Sequence, residues 1–291
     1  MKKILLSCYL VLTLIGLSAC GSQQQPNTKV NVPPISVQLW SVKGALKADF
    51  KGTLEELAGM GFQGVEFAGD FGPYASDPVG LKNYLTSIGL QASGAHVGFK
   101  DLGDDKLDKT LDFLKAVGID MVIIPYDARA FEASGVHSLT VDLVSLSAKL
   151  AKKNMVIGYH NHDHEFNTYL DATYWDYIAK NTPQSVLLQL DVGWVNFAGK
   201  DPVEYVKRYP GRTLTTHLKI RHYHGPNRTP QGASPILGDD NYDWGTLITT
   251  QAKVGGTRWL VVEQEEYPDG LSSMQAVAKS KAGLDKIISE L

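Results

Sequence analysis

The sequence predicts a (β/α)8 barrel over residues 35–291, and three observations support this prediction. Eight short runs rich in β-branched residues alternate with stretches in which apolar residues recur every three or four positions, as on amphipathic helices. The runs are almost continuously apolar, as strands covered on both faces are. The chain is 43% hydrophobic and 20% charged, which is typical of a globular protein with a large core. Eight such units fit a closed barrel better than an open doubly wound sheet.

The expected elements follow one another along the chain from residue 35 onward. The helical pattern is clearest at 53–60, at 106–118 and at 138–154, and a last helix is expected at about 272–291. The eight expected strands cover 35–42, 64–69, 90–97, 121–126, 155–160, 186–192, 215–220 and 259–265.

Residues 1–19 are predicted to be a secretory signal peptide. Two lysines precede an apolar stretch that is shorter than the roughly 20 residues of a lasting membrane span. The letters "LSAC" resemble the lipobox of bacterial lipoproteins, so Cys20 is the expected lipidation site and residues 20–34 a flexible tether. The alternative is an uncleaved N-terminal anchor. We therefore expect an exported protein, attached by lipid to the membrane of the bacterial envelope and facing the periplasm.

Charge, cysteine content and glycine pattern argue against three other kinds of site. The formal charge of −3 becomes −5 when Lys2 and Lys3 leave with the leader, so no nucleic-acid surface is expected. Cys8 would leave with the leader, which leaves no pair for a disulfide. The G-x-G-x-x-G pattern at 59–64 follows a helix and precedes a strand, whereas a dinucleotide site needs the opposite order. We interpret it as a helix stop.

Polar residues follow the apolar interior of almost every expected strand. In a parallel barrel the carboxyl ends of all strands share one rim, so these residues converge in space. The residues at or just after the strand ends are Gln38, Trp40, Glu66, His96, Tyr126, Asp127, His160, His162, Glu165, Asp191, Trp194, His217, Lys219, His222, Glu263 and Glu265.

The last four strands end in carboxylates and imidazoles, which indicates a metal site. An oxygen-rich set with an imidazole suits Mn²⁺, Mg²⁺ or Co²⁺ in an open octahedron, and Zn²⁺ less exclusively. Strand alternation puts His217 and Lys219 on one face, and Glu263 and Glu265 likewise. Asp191 ends an apolar strand, where an unpaired charge is costly and a metal would be its partner.

The motifs "YHNHDHEF", "QLDVGWV", "HLKI", "GDDNYDW" and "VVEQE", in this order, resemble the sugar phosphate isomerase/epimerase family of xylose isomerase-like TIM barrels. The opening strand "VQLWSV" is also similar, and the resemblance covers residues 35–291. It implies a divalent metal held by Glu165, Asp191, His217 and Glu263. Many relatives place the glutamate where His160 stands, so His160 and His162 are alternatives to Glu165. Relatives commonly have aspartate at position 220, where this chain has isoleucine.

The resemblance also implies a reaction, in which a proton moves next to the carbonyl of a sugar through an enediolate. Glu165 and Glu263 are then both ligands and candidate bases, and the candidate proton carriers or oxyanion donors are His162, Lys219 and His96. The remaining polar and aromatic rim residues are candidate substrate contacts: Gln38, Trp40, Glu66, His160, Trp194, His222 and Glu265.

Several of these residues have a purely structural alternative. His96 could be a satisfied core histidine, Lys219 a solvated strand end, and Glu66 the partner of a neighbouring cation. Trp40 and Trp194 could be plain packing, although aromatic faces suit the C–H surfaces of sugars.

Three functions remain open from the sequence. The first is a metal-dependent isomerase or epimerase of an unphosphorylated keto-sugar, since phosphorylated sugars are scarce outside the cytoplasm. The second is a hydratase or lyase acting on a 3-keto-sugar or a 3-keto-glycoside-derived intermediate at the same site. The third is a carbohydrate-binding lipoprotein without catalysis. An endonuclease on the same barrel would need a basic groove to bind nucleic acid, and the net negative charge of the chain argues against one.

Overall fold

The computed structural model describes residues 30–221 and 234–291. Eight parallel strands close into a barrel in which each strand pairs with its neighbours in sequence and the last pairs with the first. This confirms the predicted fold class. The barrel strands are β1 Ile35–Gln38, β2 Gly64–Phe67, β3 Gln91–His96, β4 Met121–Ile124, β5 Val156–His160, β6 Leu187–Asp191, β7 Thr215–Leu218 and β8 Trp259–Val262.

Helices connect the strands and pack around the barrel. They are α1 Lys43–Ala48, α2 Phe50–Gly59, α3 Pro78–Ser87, α4 Leu107–Val117, α5 Val136–Ala151, α6 Tyr174–Lys180, α7 Val192–Phe197, α8 Pro202–Arg208, α9 Trp244–Thr250 and α10 Ser273–Ser289. The glycine-rich segment does end α2, since Gly61 follows it at φ +85°, a conformation in which glycine alone is unstrained.

Most strands end earlier than the sequence predicts, because the polar residues after each apolar run already belong to turns. Strand β1 stops at Gln38, whose side chain accepts a hydrogen bond from the backbone N–H of Trp40 and starts a single 3₁₀ turn. A two-stranded ribbon, Thr168–Tyr169 with Ala172–Thr173, was not expected from the sequence.

The core has two parts. The larger lies between the barrel and the helices, and the smaller fills the lower half of the barrel interior. Gly158 lets Leu187 pack there, because a Cβ at 158 would lie 2.2 Å from Leu187 Cδ1. The upper half of the interior is polar, and it forms the floor of the candidate site. Its members are Gln38, Glu66, His160, Gln189, Asp191, His217 and Glu263.

The predicted leader and Cys20 lie outside the described residues. Within 30–221 and 234–291, no helix has the length and apolar character needed to cross a membrane.

Candidate active site and metal centre

The carboxyl ends of β5 to β8 bring four potential metal ligands together. His160, Asp191, His217 and Glu263 each offer one atom, and these atoms all lie within 4.8 Å of one another. Asp191 Oδ2 is 3.7 Å from His160 Nε2 and 3.9 Å from His217 Nδ1. All four side chains are buried. We call this group the four-residue cluster.

The chemistry of the four-residue cluster fits a cation. Asp191 Oδ1 accepts the backbone N–H of Trp194 at 3.0 Å, but its buried Oδ2 accepts no hydrogen bond from any described residue. Burial raises the pKa of Asp191 to about 6, against the opposing effect of Lys219. The charged partner of Oδ2 is the Lys219 ammonium at 2.9 Å, and a bound cation would be a second positive partner for this buried oxygen.

Lys219 neutralises much of the negative charge around the four-residue cluster. Its buried Nζ lies 2.9 Å from Asp191 Oδ2 and 2.7 Å from both Glu263 Oε2 and Glu265 Oε2. Burial would lower the pKa of this ammonium, but the three carboxylates raise it. Lys219 is therefore a fixed positive charge in the site.

His217 contacts a carboxylate through each ring nitrogen. Nδ1 donates to Glu263 Oε2 at 3.0 Å, and Nε2 donates to Glu66 Oε1 at 2.5 Å. Burial would lower its pKa, but the two glutamates raise it to about 10 without a metal. Burial would likewise raise the pKa of Glu263, but Lys219 and His217 hold it well below its usual range. A cation at Nδ1 would displace a proton, while Glu66 would orient the ring from behind.

Glu165 lies outside the four-residue cluster, and this corrects the placement expected for it. Strand β5 ends at His160, and the chain then turns so that Glu165 folds back under the turn. Its oxygens accept from Tyr159 Oη at 3.0 Å and from the backbone N–H of His162 at 2.8 Å. Burial raises its pKa to about 7. His160, the alternative that the strand end suggested, occupies the fifth-strand position instead.

A cavity of about 1160 Å³ opens above the cluster. Its floor includes His96, His160, His162, Lys219, Glu263 and Glu265. Trp40 and Tyr126 also line it, and they are 46% and 56% exposed. Asp191 and His217 lie just beneath the floor and are fully buried. The ligand atoms are therefore at the base of a pocket large enough for a small organic substrate.

Comparisons with known proteins agree with the barrel fold described above. No protein-family model matches the chain. An inosose dehydratase from Clostridium botulinum is 23% identical over 266 residues, which cover 80% of this chain and 87% of the relative. A solved sugar phosphate isomerase/epimerase from Parabacteroides distasonis superposes with a TM-score of 0.70 at 23% identity, covering 91% of this chain and 97% of that one. The fold is a xylose isomerase-like TIM barrel.

A second solved barrel adds an observation about metals. The IolI protein was solved with a bound zinc atom, and it superposes with a TM-score of 0.64 at 13% identity. The superposition covers 88% of this chain and 98% of that one. At this identity the likeness establishes the xylose isomerase-like fold and not the ligand set.

Other residues proposed from the sequence lie around the floor of this xylose isomerase-like barrel. Gln38 and Glu66 are fully buried beneath it and hydrogen-bonded to each other at 2.7 Å. The Trp194 ring packs 4.0 Å from the Arg221 guanidinium and does not line the cavity. Glu265 lines the cavity and bonds Lys219. His222 lies outside the described residues.

Sequence reasoning missed one residue, Gln189. Gln189 joins His96, His160 and Glu66 beneath the floor. It lies two residues before Asp191 on β6, so strand alternation already placed both on one face. Tyr126 was noted at a strand end, and its exposed ring beside the cavity is the feature that sequence could not show.

Proposed function

We propose that this protein is a divalent-metal-dependent isomerase or epimerase of a keto-sugar. The observation that carries the proposal is the four-residue cluster, whose four buried ligand atoms lie within 4.8 Å of one another at the base of a cavity lined by neutral imidazoles. A metal, when bound, would supply Lewis-acid stabilisation of negative charge on a substrate oxygen. Two imidazoles beside two carboxylates suit Zn²⁺, Co²⁺ or Mn²⁺ better than Mg²⁺.

His162 and His96 are the best-placed groups to move a proton on the substrate. Both line the cavity, and burial lowers the pKa of His96 and lowers that of His162 to about 4. Both rings are therefore neutral near pH 7 and can accept a proton. His162 Nδ1 is buried and has no hydrogen-bond partner among the described residues, so no hydrogen bond there fixes the tautomer of this ring.

Lys219 would complete the site as a hydrogen-bond donor. Lys219 lines the cavity, and its ammonium is ion-paired with Asp191, Glu263 and Glu265. A fixed cation stabilises charge that develops on a nearby substrate oxygen without having to move during the reaction. Glu263 is less suited to act as the base, because its Oε2 already accepts from Lys219 and His217.

A hydratase or lyase is the second candidate. The first step is the same proton removal next to a carbonyl, and loss of a β-hydroxyl replaces return of the proton. Three inosose dehydratases, each matching 80% or more of this chain at 23–24% identity, favour this branch. His162, protonated by the first step, would then give that proton to the leaving hydroxyl, while Lys219 stabilises the negative charge on the substrate oxygen.

The test is solvent deuterium exchange across a substrate panel. The panel contains keto-sugars with and without phosphate, an inosose and 3-keto-glycosides, each with Mn²⁺, Co²⁺ or Zn²⁺ and with a chelator. Metal-dependent exchange at the carbon next to the carbonyl supports the proposal, and loss of water selects the lyase branch. A metal-free protein that binds sugars but exchanges none of them would instead be a carbohydrate-binding protein.

Export and lipid attachment are part of the proposal, and the preference for an unphosphorylated substrate depends on them. They rest on the "LSAC" motif before Gly21. Radiolabelled palmitate should enter the wild-type protein in bacterial cells and should not enter Cys20→Ser. Incorporation into both proteins, or into neither, would contradict the anchor at Cys20.

A further inference from the structure

Glu66 fixes the orientation of a buried amide beneath the site. Its Oε1 accepts from Gln38 Nε2 at 2.7 Å and from His217 Nε2 at 2.5 Å, and its Oε2 lies 2.8 Å from Gln189 Nε2. An ionised carboxylate only accepts hydrogen bonds, so the end of Gln189 that faces it must be the NH₂ group. A flipped amide would place two acceptor oxygens against each other.

The carbonyl end of Gln189 therefore faces two histidines. Oε1 lies 2.7 Å from His96 Nε2 and 3.0 Å from His160 Nδ1. A carbonyl oxygen can only accept, so both of these ring nitrogens must carry a proton. In a neutral imidazole the other nitrogen then has a lone pair, which is Nδ1 in His96 and Nε2 in His160.

The lone pair that this arrangement leaves on His160 faces the four-residue cluster. His160 Nε2 lies 3.7 Å from Asp191 Oδ2. With the proton on Nε2 instead, His160 would present a hydrogen to the cation and could not bind it. The opposite tautomer would also place the Nδ1 lone pair against Gln189 Oε1, which is repulsive.

We propose that Gln189 is a positioning residue that fixes the tautomer of His160 and so leaves His160 Nε2 free to bind a cation. The second part of this inference rests on the proposed metal site, whereas the first does not. Both rings bond the same oxygen of Gln189. Glu66 Oε1, 3.3 Å from His96 Nε2, supports the same tautomer of His96, so the position that depends on Gln189 is His160. In metal proteins such outer partners of a ligating histidine are worth about 10- to 100-fold in metal affinity.

The matched control is Gln38, which differs from Gln189 in one useful respect. Both glutamines are fully buried and both donate to Glu66, at 2.7 and 2.8 Å. Of the two glutamines, only Gln189 is hydrogen-bonded to His96 and His160. Gln38→Met therefore removes a similar buried amide and leaves both imidazoles with their acceptor, while Gln189→Met removes that acceptor.

The experiment reads the tautomers directly by long-range ¹H–¹⁵N correlation on metal-free, ¹⁵N-histidine-labelled protein, with signals assigned through His96→Gln and His160→Gln. Wild type and Gln38→Met should carry the proton on His160 Nδ1 and on His96 Nε2. Gln189→Met should lose this preference at His160, whereas His96 keeps Glu66 as an acceptor. The variant should bind Zn²⁺ about 10- to 100-fold more weakly, measured by competition with a chelating dye.

Two results would overturn the inference. One is a wild-type protein with the His160 proton on Nε2, which needs no variant to fold. The other is a Gln189→Met variant that keeps the His160 tautomer and its Zn²⁺ affinity. If wild type binds no metal and exchanges no sugar proton, the proposed function fails, but the tautomers still decide the role of Gln189.

Discussion

The backbone N–H of His162 donates to Glu165 Oε2 at 2.8 Å and turns the segment after β5 back on itself. This bond, with the one from Tyr159 Oη, holds the Glu165 carboxylate away from the four-residue cluster. It also leaves the His162 ring at the cavity, 5.1 Å from the ring of His160. Glu165 thus shapes the site without lining the cavity.

Metal titrations of His160→Gln and Glu165→Gln should separate these two candidates for the fifth-strand ligand. Loss of an outer partner of a ligand costs about 10- to 100-fold in affinity, so loss of His160 itself should cost at least the upper value. Glu165→Gln should bind Zn²⁺ or Co²⁺ nearly as well as wild type. The reverse order of affinities would restore Glu165 as the ligand.

Glu165 should make stability depend on pH between about 4.5 and 7. Burial raises its pKa from 4.5 to about 7, so in this range the unfolded chain ionises while the native carboxyl stays protonated. Stability is present below pH 4.5 and is lost as the pH rises through the window, by about 3 kcal/mol in total at roughly 1.4 kcal/mol per pH unit.

Urea unfolding of wild type and Glu165→Gln across this pH range measures the effect. The free energy of unfolding of the variant, relative to wild type, should rise by about 3 kcal/mol from pH 4.5 to 7. Taking the difference removes the contribution of the other titrating groups, including His162. A difference that stays constant with pH would show that Glu165 has an ordinary pKa.

Lys219→Met should destabilise the metal-free protein. The substitution leaves Asp191 and Glu263 buried without their ammonium partner, and breaking such a pair costs about 3–5 kcal/mol. Saturating Zn²⁺ should then raise the unfolding temperature more in the variant than in wild type, because the cation replaces the missing charge. Lys149→Met, which breaks an exposed pair with Asp104, should behave like wild type. Equal shifts with Zn²⁺ in Lys219→Met and wild type would contradict a cation bound between these carboxylates.

His162→Gln should slow proton exchange on the substrate by about 10²- to 10⁴-fold, the usual contribution of a general acid or base. Metal content and substrate KM should change little, because His162 does not belong to the four-residue cluster. His164→Gln is the control, since that side chain is 57% exposed, does not line the cavity and follows two residues later. Similar rates in both variants would remove His162 from the reaction.

The sequence by itself determined the barrel and the rim. Continuous apolar runs that alternate with helical periodicity indicate buried parallel strands. Because this pattern is local, it can be recognised in the sequence alone. Because parallel strands end at one rim, Asp191, His217 and Glu263 could be placed together before any distance was known. Strand alternation also placed Lys219 beside His217, where both contact Glu263.

Only the tertiary structure shows that His160, and not Glu165, lies in the four-residue cluster, and only it brings Gln189 beside His96 and His160. Five residues separate the first two, and the path of the chain after β5 depends on hydrogen bonds from Tyr159 and His162 that no local pattern encodes. Gln189 acts through Glu66, which is 123 residues earlier in the chain. Such contacts exist because the barrel closes, and closure is a property of all eight strands together.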